Sequence, residues 1–185
     1  YSMVIADLDE PLLMATSKFR ILMVTLRELL GYQDADMDFT DARGFVRAEQ
    51  LCMVARWSAI QEEPMLAMLS TQGLIRTYRM EQIGPHIEGA TPPTIGWPEP
   101  GWPKAIFGVE RGQDIVVIDS AGRGARIPAD KVPRAGQRLI QKRKTSDMTA
   151  GLAATADAEL LLLSATGFGS CVKSAEVPLC LLYTS

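Results

Sequence analysis

The sequence is short of the residues from which most catalytic sites are assembled. It has one histidine, His86, and three cysteines, Cys52, Cys171 and Cys180, in 185 residues. A lone imidazole without clustered thiols does not build a typical zinc site, and His86, expected on a surface turn beside Pro85, has no serine or cysteine in a recognisable nucleophile motif. Widely separated cysteines in odd number argue against a disulfide framework and offer no CxxC knuckle, which leaves core or incidental thiols. No apolar run approaches the roughly 18 residues that span a bilayer, and no basic-then-apolar leader opens the chain. The expectation is a cytoplasmic protein without membrane contact. Two weak site patterns also fall short. The acidic stretch DADMDFTD (34–41) lacks the glycine and distal glutamate of a calcium loop and reads as a solvated connection, while AGRGAR (121–126) lacks the third glycine and following helix of a dinucleotide cradle.

What the chain does have is a repeat. In DIVVIDSAGRGARIPADKVP (114–133) an apolar run enters a small polar turn that ends in Gly122, and a second extended segment leaves it, the pattern of a β-hairpin. Without gaps, this unit aligns with Leu66–Gly84, Leu160–Pro178 and, more loosely, Leu13–Leu30. The turn residues are Phe19, Gly73, Gly122 and Gly167, separated by 54, 49 and 45 residues. Three more columns agree: Val24, Tyr78, Ile127 and Val172; Glu28, Gln82, Lys131 and Glu176; Leu29, Ile83, Val132 and Val177. Periods of about 40–50 residues belong to propeller blades, because a single repeat cannot bury its own apolar face.

Further strands are expected between the hairpins. Leu51–Ala55 is read as a strand before the second hairpin, with a short helix over Arg47–Ile60 as the rival; Lys104–Val109 precedes the third and Ala150–Ala154 the fourth. The proline-rich loop Gly89–Pro103 carries Trp97 and Trp102, which either stack on a partner, an unpaired base included, or pack over the rim. The chain opens without methionine, as if an upstream strand pair were missing. Its last residues, CLLYTS (180–185), resemble translated adapter sequence and are set aside as a non-native tail. A net charge of −3 conceals an asymmetry: −6 over residues 1–100, +5 over 101–150 and −2 beyond. The basic face should therefore lie around the third repeat.

The stretches VVIDSAGRGARIPADKVP, LLLLSATGFGSCVKSAEVP and LAMLSTQGLIRTYRMEQIG resemble the repeats of the DNA gyrase A C-terminal domain and its topoisomerase IV relative. TGFG (166–169) is similar to that family's G-aromatic-G turn. The resemblance implies an all-β fold, a propeller-like β-pinwheel of four-stranded blades. About four blades would be present over residues 1–179, as a truncated disc, with repeats near 12–30, 65–84, 114–133 and 159–178. It implies sequence-tolerant binding and wrapping of double-stranded DNA, in support of ATP-dependent topology change by a parent enzyme of the type IIA DNA topoisomerases. The implied partners within that parent are the rest of its A subunit, together with an ATPase B subunit. No cofactor is implied for this segment, and the nucleophilic tyrosine belongs to the parent's core.

Wrapping a duplex needs cations spaced along a rim to meet phosphates. The hairpins offer Lys18 and Arg20, Arg76 and Arg79, Arg123 and Arg126, and Lys173; Arg134, Arg138, Lys142, Arg143 and Lys144 form a dense run after the third. Two departures stand out. No QRRGGRG-like box occurs, since PRAGQRLIQKRK (133–144) lacks its glycine pair, and Phe19 replaces the turn glycine of the first copy. The alternative reading is a propeller that binds a protein or small ligand, its charges only solvating the rim.

Overall fold

A computed structural model describes residues 4–87, 101–140, 147–164 and 166–180. Each repeat folds as an antiparallel hairpin, for a reason visible in its turn. The residue three before the turn residue is small and polar: Thr16, Ser70, Asp119 and Ser164. Its carbonyl accepts the turn residue's N–H at 2.8–3.0 Å in all four copies. Its side chain accepts from further N–H groups of the turn, while the N–H of the next residue, in Ser17, Thr71 and Ser120, goes to the carbonyls of Gln50, Trp102 and Asp147. Thr16 Oγ1 takes the N–H groups of Lys18 and Arg20, Ser70 Oγ those of Gln72 and Leu74, Asp119 Oδ1 those of Ala121 and Arg123, and Ser164 Oγ that of Phe168. Short polar side chains satisfy a turn's own backbone in this way, which holds a tight reversal closed.

The turn residue itself must adopt positive φ, at 81° in Gly73, 76° in Gly122 and 86° in Gly167. Phe19 adopts the same conformation, at 56°, and its ring is buried between the first two sheets. A non-glycine residue there costs about 1–2 kcal/mol, which burial of an aromatic ring, worth about 1.5–3 kcal/mol, offsets. The first hairpin thus keeps its geometry without glycine.

The hairpins are β1 (Pro11–Thr16) with β2 (Ile21–Thr25), followed by α1 (Leu26–Asp34), α2 (Phe39–Ala42) and β3 (Leu51–Arg56); and β4 (Met65–Ser70) with β5 (Leu74–Arg79), followed by α3 (Met80–Ile87) and β6 (Pro103–Val109). Then come β7 (Asp114–Asp119) with β8 (Gly124–Pro128), followed by β9 (Gln137–Arg138) and β10 (Met148–Ala154), and finally β11 (Glu159–Leu163) with β12 (Gly169–Lys173). Register is the same in all four, as shown by the pairs Leu12 with Val24, Leu66 with Tyr78, Ile115 with Ile127 and Leu160 with Val172. A helical segment begins seven residues after each turn residue, at Leu26, Met80, Ala129 and Ser174. The aligned column Glu28, Gln82, Lys131 and Glu176 lies in these first helical turns.

Four sheets result, ordered β2-β1-β3, β6-β4-β5-β9, β10-β7-β8 and β11-β12. The strands expected to precede the second, third and fourth hairpins each pair backward instead: β3 with β1, β6 with β4 and β10 with β7. The first strand of a hairpin has a free edge, and the chain returns to it before starting the next sheet. Two links also cross forward. β9, which follows the third hairpin, pairs with β5 of the second sheet, and Arg126 of β8 exchanges backbone hydrogen bonds with Pro178 and Cys180 beyond the fourth hairpin.

Successive sheets stack through period-two apolar faces. Leu13, Ala15 and Ile21 meet Leu66 and Met68; Ala67, Leu69 and Ile75 meet Ile115, Val117 and Ile127; Val116 meets Leu160. The acidic stretch 34–41 is the expected solvated connection, exposed from Asp34 to Asp38 between α1 and α2, and Phe39 in it joins Leu29 and Phe45 in covering Met14, Leu22 and Val24 on the far face of the first sheet. One expectation changes. His86 lies on α3 rather than on a turn.

Candidate nucleic-acid interface

The cations proposed from sequence fall into two sets. In the first, carboxylates and carbonyls hold the guanidinium. Arg20 donates to Glu49 Oε2 and the Gly44 carbonyl at 3.0 Å and to the Arg43 carbonyl at 3.1 Å, and lies 5.5 Å from the Phe45 ring. Glu49 is buried and also accepts from Thr16 Oγ1 at 2.5 Å and the Val46 N–H at 3.0 Å. Burial alone would raise its pKa; the bonds from Thr16, Val46 and Arg20 outweigh that and hold it below the ordinary 4.5.

Arg123 pairs with Asp119 at 2.5 Å, the same carboxylate that closes its turn. Burial again opposes the charge on Asp119, but hydrogen bonds from Arg123 and the Ala121 N–H keep its pKa below 3.8. Arg126 pairs with Asp114 at 2.5 Å and donates to the Val177 carbonyl at 2.9 Å, tying the third sheet to the chain beyond the fourth hairpin. These three arginines are struts of the hairpins, and their charge is largely matched where they sit.

The second set faces water or gathers at one edge. β9 lies against β5, so Arg138 is paired in register with Leu74 while Arg76 reaches across to donate to the Arg134 carbonyl at 3.0 and 3.3 Å. Arg76, Arg134 and Arg138 therefore share one edge of the second sheet. Gly136 permits the close approach there: it has φ of 93°, and a Cβ on it would lie 2.6 Å from Arg76 Cγ. The Arg76 guanidinium also lies 5.4 Å from the Tyr78 ring. Burial pushes the Tyr78 phenol up to about 12, against the opposing pull of Arg76. Lys142, Arg143 and Lys144 follow shortly in sequence but lie outside the described residues. Lys18, Arg79 and Lys173 are exposed, at the first turn and at the ends of β5 and β12; Arg79 has a 3.5 Å contact with Glu81.

Sequence reasoning passed over the exposed cations Lys104, Arg111 and Lys131. It also missed the carboxylates Glu49, Asp114 and Asp119. Asp119 was findable, since it shares an aligned column with Thr16, Ser70 and Ser164; Glu49 lies 29 residues from its arginine and carries no local signal. Trp102 is 55% exposed with its backbone pinned to Thr71, and Trp97 lies outside the described residues. An apolar cleft of about 390 Å³ separates the third and fourth sheets, lined by Val116, Leu160, Val172 and Val177 with Glu159 and Glu176. Among the described residues, no three His, Cys, Asp or Glu side chains gather as a metal site, and no helix is long and apolar enough to cross a membrane.

No family model matches the sequence, and no curated protein matches it. Solved structures do. The DNA gyrase A C-terminal domain superposes with a TM-score of 0.70 over 96% of this chain, at 11% identity; the chain spans 58% of that domain's length. The C-terminal domain of E. coli ParC gives 0.60 over 94% of this chain and 73% of its own, at 13% identity. A topoisomerase IV C-terminal domain gives 0.59 over 95% and 56%, at 11% identity. The stacked hairpin sheets, repeated in one register and cross-linked by exchanged edges, are thus the β-pinwheel fold of the gyrase A C-terminal domain.

Proposed function

We propose that this chain binds double-stranded DNA without sequence preference, as the C-terminal module of the A subunit in a type IIA topoisomerase. The observation that carries the reading is the β5–β9 edge, where Arg76, Arg134 and Arg138 come together just before the basic run Lys142, Arg143 and Lys144. Cations spaced along a sheet edge meet phosphates without reading bases, which suits a duplex bent over a rim. Lys18, Arg79 and Lys173 extend the contact to the other hairpins. Arg20, Arg123 and Arg126 contribute chiefly by fixing the turns and edges that present the rest. In this reading the module works in the cytoplasm with the remainder of its A subunit, together with an ATPase B subunit, and wraps DNA in support of strand passage.

The apolar cleft between the third and fourth sheets favours a second reading, a propeller that takes a small ligand or peptide. Fluorescence anisotropy with a labelled duplex separates the two. Under the DNA reading Arg134→Ala and Arg138→Ala each weaken binding for every duplex sequence and lower the salt slope by about one. Arg126→Ala lowers stability more than affinity. Unchanged binding after both Arg134→Ala and Arg138→Ala, or no binding at low salt, overturns it.

A further inference from the structure

In the first three repeats the residue that follows the turn's polar side chain is hydroxylic: Ser17, Thr71 and Ser120. Its N–H donates to the carbonyl of Gln50, Trp102 and Asp147 at 2.8–2.9 Å. Its Oγ accepts the N–H of that same residue at 3.0–3.1 Å. This double clamp fixes the backbone beside each turn and asks nothing of the clamped side chain. All three clamped residues are exposed. Gln50 and Asp147 fill the position in the first and third repeats, so the fold has no need of an indole there. Trp102 nevertheless presents one, 55% exposed.

Cations border the same turn. Lys104, two residues on at the start of β6, is exposed. On the other side β9 pairs Arg138 with Leu74, and the Leu139 N–H reaches the Gly73 carbonyl at 3.3 Å. In the sheet order β6-β4-β5-β9, three strand spacings set Trp102 and Arg138 about 14 Å apart across residues 71–73.

We propose that Trp102 is a stacking site for an unpaired DNA base, beside the duplex contact of the β5–β9 edge. The inference rests on the DNA reading above and adds to it a preference for opened DNA. An exposed ring on a fixed backbone loses little freedom when a base stacks on it. Every base has a π face, so the contact tolerates any sequence, as phosphate contacts do. In an intact duplex each base is already stacked on its neighbours. Trp102 therefore acts only where a strand is single or bulged.

Fluorescence anisotropy with labelled probes of one sequence tests this: an intact duplex, the same duplex with a short unpaired bulge, and the bulged strand alone. The bulged duplex should bind at least about fivefold more tightly than the intact one. Trp102→Gln, which copies the first repeat, should abolish that difference and leave intact-duplex binding as it was. Trp102→Phe, which keeps a ring, should retain most of it. In Trp97→Phe, with Trp57 buried, the bulged duplex should quench tryptophan emission far more than the intact duplex. Equal affinity for bulged and intact duplexes, or a preference that survives Trp102→Gln, would overturn the proposal and leave the DNA reading standing. Trp102-dependent binding of the single strand with none of the intact duplex would do the reverse. No binding of any probe would overturn both.

Discussion

Replacing Asp119 isolates what the third turn owes to its carboxylate. In Asp119→Ala the N–H groups of Ala121 and Arg123 lose their acceptor, at about 1 kcal/mol each. Arg123 loses its ion partner as well; with its side chain 30% exposed it can turn toward water, so this loss is about 1–2 kcal/mol, below that of a fully buried pair. The expected destabilisation is about 3–4 kcal/mol. Asp119→Ser copies the second repeat, where Ser70 Oγ accepts from Gln72 and Leu74 at 3.2 Å, and should lose only the ionic part, about 1–2 kcal/mol. The pH dependence separates them further. The folded pKa of Asp119 is depressed below 3.8, so its contribution is whole above that value and fades as the pH falls toward the depressed one. Asp119→Ser should flatten this acid limb. Urea unfolding of the three proteins at neutral and acid pH reads both effects. Equal losses for Ala and Ser, or an acid limb unchanged in Asp119→Ser, would refute the shared turn chemistry.

Three further expectations follow from the same geometry. Gly167→Ala meets nothing within 4 Å and should cost only the positive-φ penalty, about 1 kcal/mol, whereas Gly73→Ala drives a Cβ to 2.8 Å from the Ile140 carbonyl and should cost clearly more in thermal unfolding. Phe19→Gly relieves that penalty but empties a buried ring site, for a net loss of about 2–3 kcal/mol by urea titration. The Tyr78 hydroxyl is buried and has no partner among the described residues, so Tyr78→Phe should be neutral or stabilise by up to about 1 kcal/mol. Ultraviolet titration should accordingly lose its tyrosine step near pH 12 in that variant.

The parts of the fold legible in sequence are the local ones. A turn glycine fixes a hairpin's register within a dozen residues, so placing Gly73, Gly122 and Gly167 was enough to align Leu66, Ile115 and Leu160 with their partners. Phe19 could be aligned but not interpreted, because only its burial explains why an aromatic ring takes positive φ. Edge exchange was out of reach. Strand composition marks Leu51–Ala55 or Lys104–Val109 as extended, but pairing forward or backward depends on which neighbouring edge is open, and sequence does not show that. The arginines illustrate the same limit at the candidate interface. Arg20 and Arg134 look alike in sequence, and only a carboxylate 29 residues away makes the first a strut while the second stands exposed. The α1–α2 cap was hidden by its acidic surface, which masks the buried contacts of Leu29, Phe39 and Phe45.

The salt dependence of duplex binding tests the central claim most directly. With about six cations reaching phosphates, the logarithm of the binding constant should fall against the logarithm of salt concentration with a slope near −5, alike for unrelated duplex sequences. A slope near zero, or binding confined to one sequence, would contradict it.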